Sequence, residues 1–239
     1  FVYMTQWFQA EVVKVAMEAH RRAKPYCMGT LYWQINDCWP AISWSSIDYY
    51  GRWKALHYYA RRAYAPILAS PYIDKEGNIA VKVVSDRAES FNGVLETIVM
   101  DFDGKVITEQ KMDCCLKANE AEDIMTIDGK ELEGNRFLLV SLTEGGKTIS
   151  ENTFFSRYAN DYEYGKASVN IKAVQIQDGV ELTIASDRLA RGFRLFTDND
   201  EDFFEDNYID LVPGKEYKLK VRTKTTAEEF KTTIKYQTL

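Results

Sequence analysis

Between Trp33 and Trp39 the sequence reads WQINDCW, so two indoles flank an amide pair (Gln34, Asn36) and a carboxylate (Asp37) within seven residues. Trp44, Asp48 and Trp53 follow, so four of the chain's five tryptophans fall inside one polar segment. An indole offers a flat apolar face, and amides and carboxylates offer paired donors and acceptors. Together these suit a pyranose, whose C–H face stacks on an aromatic ring while its hydroxyls need polar partners. The competing reading is structural: Trp39, Trp44 and Trp53 could be packing, and Asp37 or Asp48 could cap or brace a loop. The residue types favour the site for Trp33 and packing for Trp44 and Trp53, and leave Asp37 and Trp39 open.

Residues 4–24 must position this segment from one side. Met4, Phe8, Val12 and Ala16 form one row at helical spacing, with Val15 and Ala19 beside it, and Pro25 stops the helix. CMGTLYWQI at 27–35 then reads as a buried parallel strand, apolar on both faces. A serine-rich loop leads to WKALHYYARRAYA, again helical, with Trp53, Leu56, Ala60 and Tyr64 on its apolar face. Helix, strand, loop, helix is an α/β rhythm. In such barrels function sits where strands end and loops begin, which is where Trp33, Gln34, Asn36, Asp37 and Trp39 fall.

After Pro71 the texture changes to strand-like runs: NIAVKVVSD, GVLETIVMDF, KVITEQKM, NRFLLVSLT and KTISENTFF. Turn signals at Asp103-Gly104 and Gly145-Gly146 separate them. A tyrosine-rich connector, Tyr158 to Gly165, precedes a second set: SVNIKAVQI, GVELTIAS, GFRLFT, NYIDLV, EYKLKVRT and FKTTIKYQ. Ser85-Asp86-Arg87 recurs as Ser186-Asp187-Arg188, an offset of 186 − 85 = 101 residues. That is close to the ~100 residues of an immunoglobulin-like sandwich. The expected layout is therefore an α/β segment over 1–68, one sandwich over 69–160 and another over 161–239.

Other chemistries find little support. A net charge of −6 lacks the basic face that nucleic acid needs, and no apolar run approaches the ~20 residues of a membrane-spanning helix. Cys27, Cys38, Cys114 and Cys115 form no CxxC, and with only His20 and His57 as histidines a zinc site is not expected. Adjacent Cys114 and Cys115 read as buried strand positions. In TDNDEDFFEDN at 197–207, Asp198, Asp200 and Asp202 alternate as in a calcium loop. Phe203 and Ile209 occupy the places of the required glycine and glutamate, so a solvated acidic hairpin is the preferred reading. Neither a P-loop nor a GxSxG elbow occurs, and no cofactor is expected. Glycosidases use two carboxylates, about 5–5.5 Å apart or about 6.5–9.5 Å apart according to mechanism. Asp37 and Asp48 do not make a persuasive pair.

GTLYWQINDCWPAISWSSIDYYGRWKALHYYARRAYAP at 29–66 resembles the last barrel strand, loop and helix of the β-mannosidases of glycoside hydrolase family 2, and FEDNYIDLVPGK at 204–215 resembles their last sandwich. The resemblance implies a multidomain parent of which this chain is the C-terminal remnant of a (β/α)8 TIM barrel followed by two immunoglobulin-like β-sandwiches. It implies a retaining exo-hydrolase of terminal β-D-mannose, with both catalytic glutamates upstream of Phe1. It implies Trp33 as an aromatic platform beside the sugar, with Asn36, Asp37 and Trp39 lining or bracing the same pocket. The partners implied are mannosyl glycans and the N-terminal part of the same protein. Under 70 residues of a ~250-residue barrel would leave apolar surface uncovered, so self-association through that remnant is expected; a clean monomer in light scattering would contradict it. The compartment is not legible, though the family leans towards the periplasm or exterior. A carbohydrate-binding or adhesion module is the alternative from another class, weakened because residues 70–239 hold no tryptophan. A related β-galactosidase or β-glucuronidase is the alternative within the family, against which the WQINDCW context speaks.

Overall fold

The computed structural model describes all residues 1–239, which divide into two compact units. One comprises Val12–Tyr32 and Ala60–Glu163; the other comprises Phe1–Glu11, Trp33–Tyr59 and Tyr164–Leu239. Helices α1 (Val2–Arg22) and α2 (Ala55–Ala63) each contribute to both.

The first unit holds a seven-stranded antiparallel sandwich: β1 (Ile67–Ile73), β2 (Ile79–Ser85), β3 (Phe91–Asp101), β4 (Val106–Leu116), β5 (Ala121–Ile127), β6 (Arg136–Glu144) and β7 (Lys147–Phe154). Its sheets are ordered β1-β2-β5 and β4-β3-β6-β7. Alternate residues point inward, so Ile79, Val81 and Val83 of β2 meet Phe91, Leu95 and Val99 of β3 in one apolar core. Gly145 and Gly146, both at positive φ, close the β6–β7 hairpin as the dipeptide predicts. Strand β1 escapes the sequence pattern because of Pro71, yet it lies at a sheet edge, where a missing N–H is tolerated. Of the adjacent cysteines, Cys114 is buried and Cys115 is exposed, as opposite faces of one strand require.

The second unit holds β8 (Val169–Ile176), β9 (Gly179–Ser186), β10 (Ala190–Phe196), β11 (Phe203–Phe204), β12 (Ile209–Leu211), β13 (Tyr217–Arg222) and β14 (Lys235–Gln237). Sheets β11-β13-β9-β8 and β12-β10-β14 enclose Val180, Leu182, Ile184, Phe193 and Val221. The Ser-Asp-Arg echo falls at corresponding places, with Ser85 ending β2 and Ser186 ending β9, each the second strand of its sandwich. The run FKTTIKYQ is not one strand. Residues Ala227–Thr233 form helix α3, nucleated by a capping box in which the Thr226 hydroxyl accepts from the Glu229 N–H and the Glu229 side chain accepts from the Thr226 N–H.

Two expectations for the first 68 residues are overturned. The row Met4, Phe8, Val12, Val15 on α1 faces outward, with Phe8 63% and Val15 64% exposed, and Ala16 and Ala19 are exposed as well. The buried positions are instead Tyr3, Trp7, Ala10, Met17, Glu18 and Arg21. Tyr3, Glu18 and Arg21 carry polar groups that a hydrophobicity count discounts, and each of these three finds partners, whereas the buried Trp7 Nε1 has none. The Tyr3 hydroxyl donates to Gly192 O at 3.0 Å, and the Glu18 carboxylate accepts from Ser70 Oγ at 2.6 Å and Asn152 Nδ2 at 3.0 Å. The Arg21 guanidinium reaches Asp86 at 2.7 Å and the Ala65 carbonyl at 2.8 Å. Gly192 sits at φ +63°, and a Cβ there would lie 2.8 Å from the Trp7 ring, so the residue is required by both backbone and contact.

Residues 27–35 form no strand either; Met28, Leu31, Trp33 and Ile35 are exposed. A parallel strand needs neighbours, and no strand of this chain pairs with it.

Tyr208 stacks on Tyr3 at 6.2 Å and donates to Gln6 Oε1 at 3.0 Å, and burial pushes its pKa up to about 12. Between the unfolded value near 10 and this folded value, the native state keeps a proton that the unfolded chain has lost. Tyr208 therefore contributes stability that is complete below about pH 10 and is lost as pH rises through about 12, at about 1.4 kcal/mol per pH unit. Urea midpoints at pH 9, 10 and 11 should fall less steeply in Tyr208→Phe than in the wild type; parallel slopes would refute the assignment.

Candidate functional site

The segment 33–54 carries almost no regular structure, and its shape comes from side chains. Two backbone bonds, from Ser46 N to Gln34 O (3.0 Å) and from Ile47 N to Ile35 O (2.8 Å), set residues 34–36 beside 46–47. Ile47 then bridges Asn36 in parallel and Trp53 in antiparallel sense. Asp48 closes the next turn, accepting from Tyr50 N (2.9 Å), Arg52 N (3.0 Å) and Arg52 Nε (2.7 Å). It is a loop brace, one of the two structural roles the sequence left open for it.

Asp37 is the buried acid of this segment. Its Oδ1 accepts from Ser43 Oγ at 2.6 Å and its Oδ2 from Ser45 Oγ at 2.5 Å, with Lys54 Nζ at 3.7 Å. Hydrogen bonds from Ser43 and Ser45, aided by the Lys54 charge, hold its pKa below the usual carboxylate value. Trp33, Asn36 and Trp39, close to it in sequence, are exposed, Trp33 70% and Trp39 69%. The Trp33–Gln34 peptide is cis.

The remaining indoles divide differently from the expectation. Trp53 packs as predicted, at 4.9 Å from Phe203, 5.3 Å from Tyr58 and 4.2 Å from His57. Trp44 is 60% exposed and contributes its carbonyl to Gln9 Nε2 (2.9 Å), so it is not packing. Its neighbours Ser43, Ser45 and Ser46 take the inward positions that the rule of burying large apolar residues would have assigned to it. These serines and Lys54 are the site residues that sequence reasoning missed. Their signal, S-x-S-S six residues after an aspartate, was read only as loop composition. His57 is satisfied, its Nδ1 lying 3.0 Å from Ser46 Oγ.

The acidic run is neutralised locally. Asp198 meets Lys235 (2.6 Å), Asp200 meets Arg52 (3.0 Å) and Glu201 meets Lys224 (2.8 Å), while Asp202 accepts from Thr197 Oγ1 (2.7 Å) and Asn199 Nδ2 (2.9 Å). No cluster of three or more acidic, histidine or cysteine side chains is gathered to hold a metal ion. The segment 33–39 offers no acid/base pair, but it exposes the Trp33 and Trp39 indoles and the Asn36 amide in the same stretch as a buried carboxylate, Asp37.

Comparison with known proteins places this geometry. The family model of a mannosidase Ig/CBM-like domain matches residues 77–158, and that of an Ig-fold domain matches residues 165–239. β-Mannosidase A of Neosartorya fischeri is 29% identical over 89% of this chain and 25% of its own length, and the β-mannosidase of Capra hircus is 49% identical over 31% of this chain and 9% of its own. The crystal structure of the β-D-mannosidase from Dictyoglomus thermophilum superposes with a TM-score of 0.89 at 28% identity, over 99% of this chain and 29% of that one. The exo-chitosanase of Amycolatopsis orientalis shares the fold, with a TM-score of 0.76 at 18% identity. The chain thus spans about a quarter of the length of the long-matching curated relatives. The two matched models make residues 77–158 and 165–239 tandem immunoglobulin-like domains of the kind that mannosidase family models describe. These likenesses support reading the chain as similar to the C-terminal portion of the β-mannosidases of glycoside hydrolase family 2.

The exposure pattern is directly checkable. Replacing Trp33, Trp39 and Trp44 together by Phe should remove most acrylamide-quenchable fluorescence and shift the remaining emission to the blue, since Trp7 is buried and Trp53 half-buried. Quenching that survives the triple replacement would contradict the placement of these rings.

Proposed function

We propose that this chain is the C-terminal portion of a retaining exo-β-mannosidase, contributing one wall of the pocket that receives a terminal β-D-mannose residue. The observation that carries the reading is the exposed Trp33–Asn36–Trp39 surface, in a segment whose fold matches a β-D-mannosidase over 99% of the chain. Trp33 serves as the stacking platform, Asn36 and Trp39 line the wall, and Asp37 braces it. The acid/base and nucleophilic glutamates belong to the part of the enzyme N-terminal to Phe1.

In the same reading, residues 1–68 are the closing section of a (β/α)8 barrel, 69–160 a first sandwich and 161–239 a second. The outward apolar side chains of α1 and the unpaired 27–35 segment support this, because both have the character of surfaces that further strands and helices would cover.

Two measurements test the proposal. The 239-residue chain alone should not hydrolyse a chromogenic β-mannoside, and robust turnover would sink the reading. In the complete enzyme, Trp33→Ala should lower kcat/KM about a hundredfold through loss of stacking and misplacement of the sugar. Wild-type kinetics in a folded variant would remove Trp33 from the site.

A further inference from the structure

Residues 37–45 make no backbone–backbone hydrogen bond. A nine-residue stretch without such bonds would ordinarily sample many conformations. Here it is tied by a directional chain of side-chain bonds. A hydroxyl carries one proton, so the roles are fixed: Ser43 Oγ donates to Asp37 Oδ1 and accepts from the Ser45 N–H (3.1 Å), and Ser45 Oγ donates to Asp37 Oδ2 and accepts from Lys54 Nζ (2.9 Å). Lys54 Nζ also donates to the Ser43 carbonyl at 3.4 Å. Ser46 adds a second tie, its N–H on Gln34 O and its Oγ donating to Ile35 O at 3.0 Å, with His57 Nδ1 behind it. The Ser43 and Ser45 hydroxyls thus end on Asp37, next to Asn36, and the Ser46 ties end on Gln34 and Ile35, between Trp33 and Asn36.

We propose that Asp37, Ser43, Ser45 and Lys54 form a positioning clamp for the sugar-facing wall. Asp37 acts through its neighbours and does not touch the sugar. This rests on the reading of that wall as part of a β-mannoside pocket.

The clamp requires an ionised Asp37. Once protonated, the carboxyl becomes a donor, one serine must turn away, and the chain from Lys54 loses its direction. Lys54 is the charged group that faces Asp37 at 3.7 Å; the remaining groups against it are the Ser43 and Ser45 hydroxyls and Gln34. Because the native pKa is depressed, the clamp's contribution is present above the unfolded value near 3.8 and is lost as pH falls through the native one.

The test compares Asp37→Asn, Ser45→Ala and Ser45→Thr, the last retaining the hydroxyl. In the 239-residue chain, indole N–H resonances of Trp33 and Trp39 should shift in the first two variants and return in Ser45→Thr, while that of buried Trp7 stays in place. In the complete enzyme, Ser45→Ala should lower kcat/KM for p-nitrophenyl β-mannoside by about tenfold to a hundredfold, with Ser45→Thr restoring most of it. Unchanged indole resonances and unchanged kinetics in folded Asp37→Asn and Ser45→Ala would overturn the clamp. If the wild-type complete enzyme does not cleave the β-mannoside, the pocket reading falls and takes the wall's proposed purpose with it. The indole resonances would still report on the clamp itself.

Discussion

A carboxylate withdrawn from water governs the shape of the 33–54 segment. Asp37 lies in a stretch with no backbone hydrogen bonds of its own, so its two serine donors and the Lys54 ammonium replace the ladder that a strand would supply. An isolated buried charge would be strongly unfavourable; one with every near partner a donor becomes a fixed point. That fixed point allows Trp33 and Trp39 to remain exposed without the loop collapsing onto them. In the proposed reading, a terminal sugar covers these two exposed indoles.

The same device recurs where α1 meets its surroundings. Glu18 is buried between Ser70 and Asn152, and Lys14 and Arg22 approach it from positions i−4 and i+4. In the other unit, Arg191 donates to Tyr164 at 2.7 Å, meets Glu11 at 3.3 Å and lies 5.1 Å over the Trp7 ring. Buried pairs of this sort add little net stability relative to apolar packing, but they penalise misplacement severely because a lost partner leaves a bare charge. The sandwiches are built on the opposite principle, with cores of alternating aliphatic and aromatic side chains that tolerate modest exchange. Each unit thus combines an apolar sandwich core with buried polar contacts of fixed geometry.

That division decides what could be read in advance. Strand-like runs bounded by turn signals announced themselves, and β2, β3, β6 and β7 lie where those runs fall. Strand β1 was hidden by Pro71, and FKTTIKYQ passed for a strand because Phe230 and Ile234 flank β-formers, although the Thr226 capping box starts a helix there. The face of α1 was inverted since Glu18, Arg21 and Tyr3 score as surface residues until their partners, distant in sequence, are known. The aromatic wall was visible as composition, and the resemblance of 29–66 gave it a role. The clamp behind it was not visible, because serines mark loops in a sequence and only coordinates reveal which of them converge on one carboxylate.

The most direct test is a crystal structure of the complete enzyme with a mannose-configured inhibitor bound. The account predicts the Trp33 ring against the sugar's C–H face at van der Waals distance, about 4 Å. Asn36 or Trp39 should lie in the same pocket, with Asp37 still held by Ser43 and Ser45 and out of reach of the sugar. An inhibitor seated away from residues 33–39, or one hydrogen-bonded to Asp37 with the serines displaced, would contradict it.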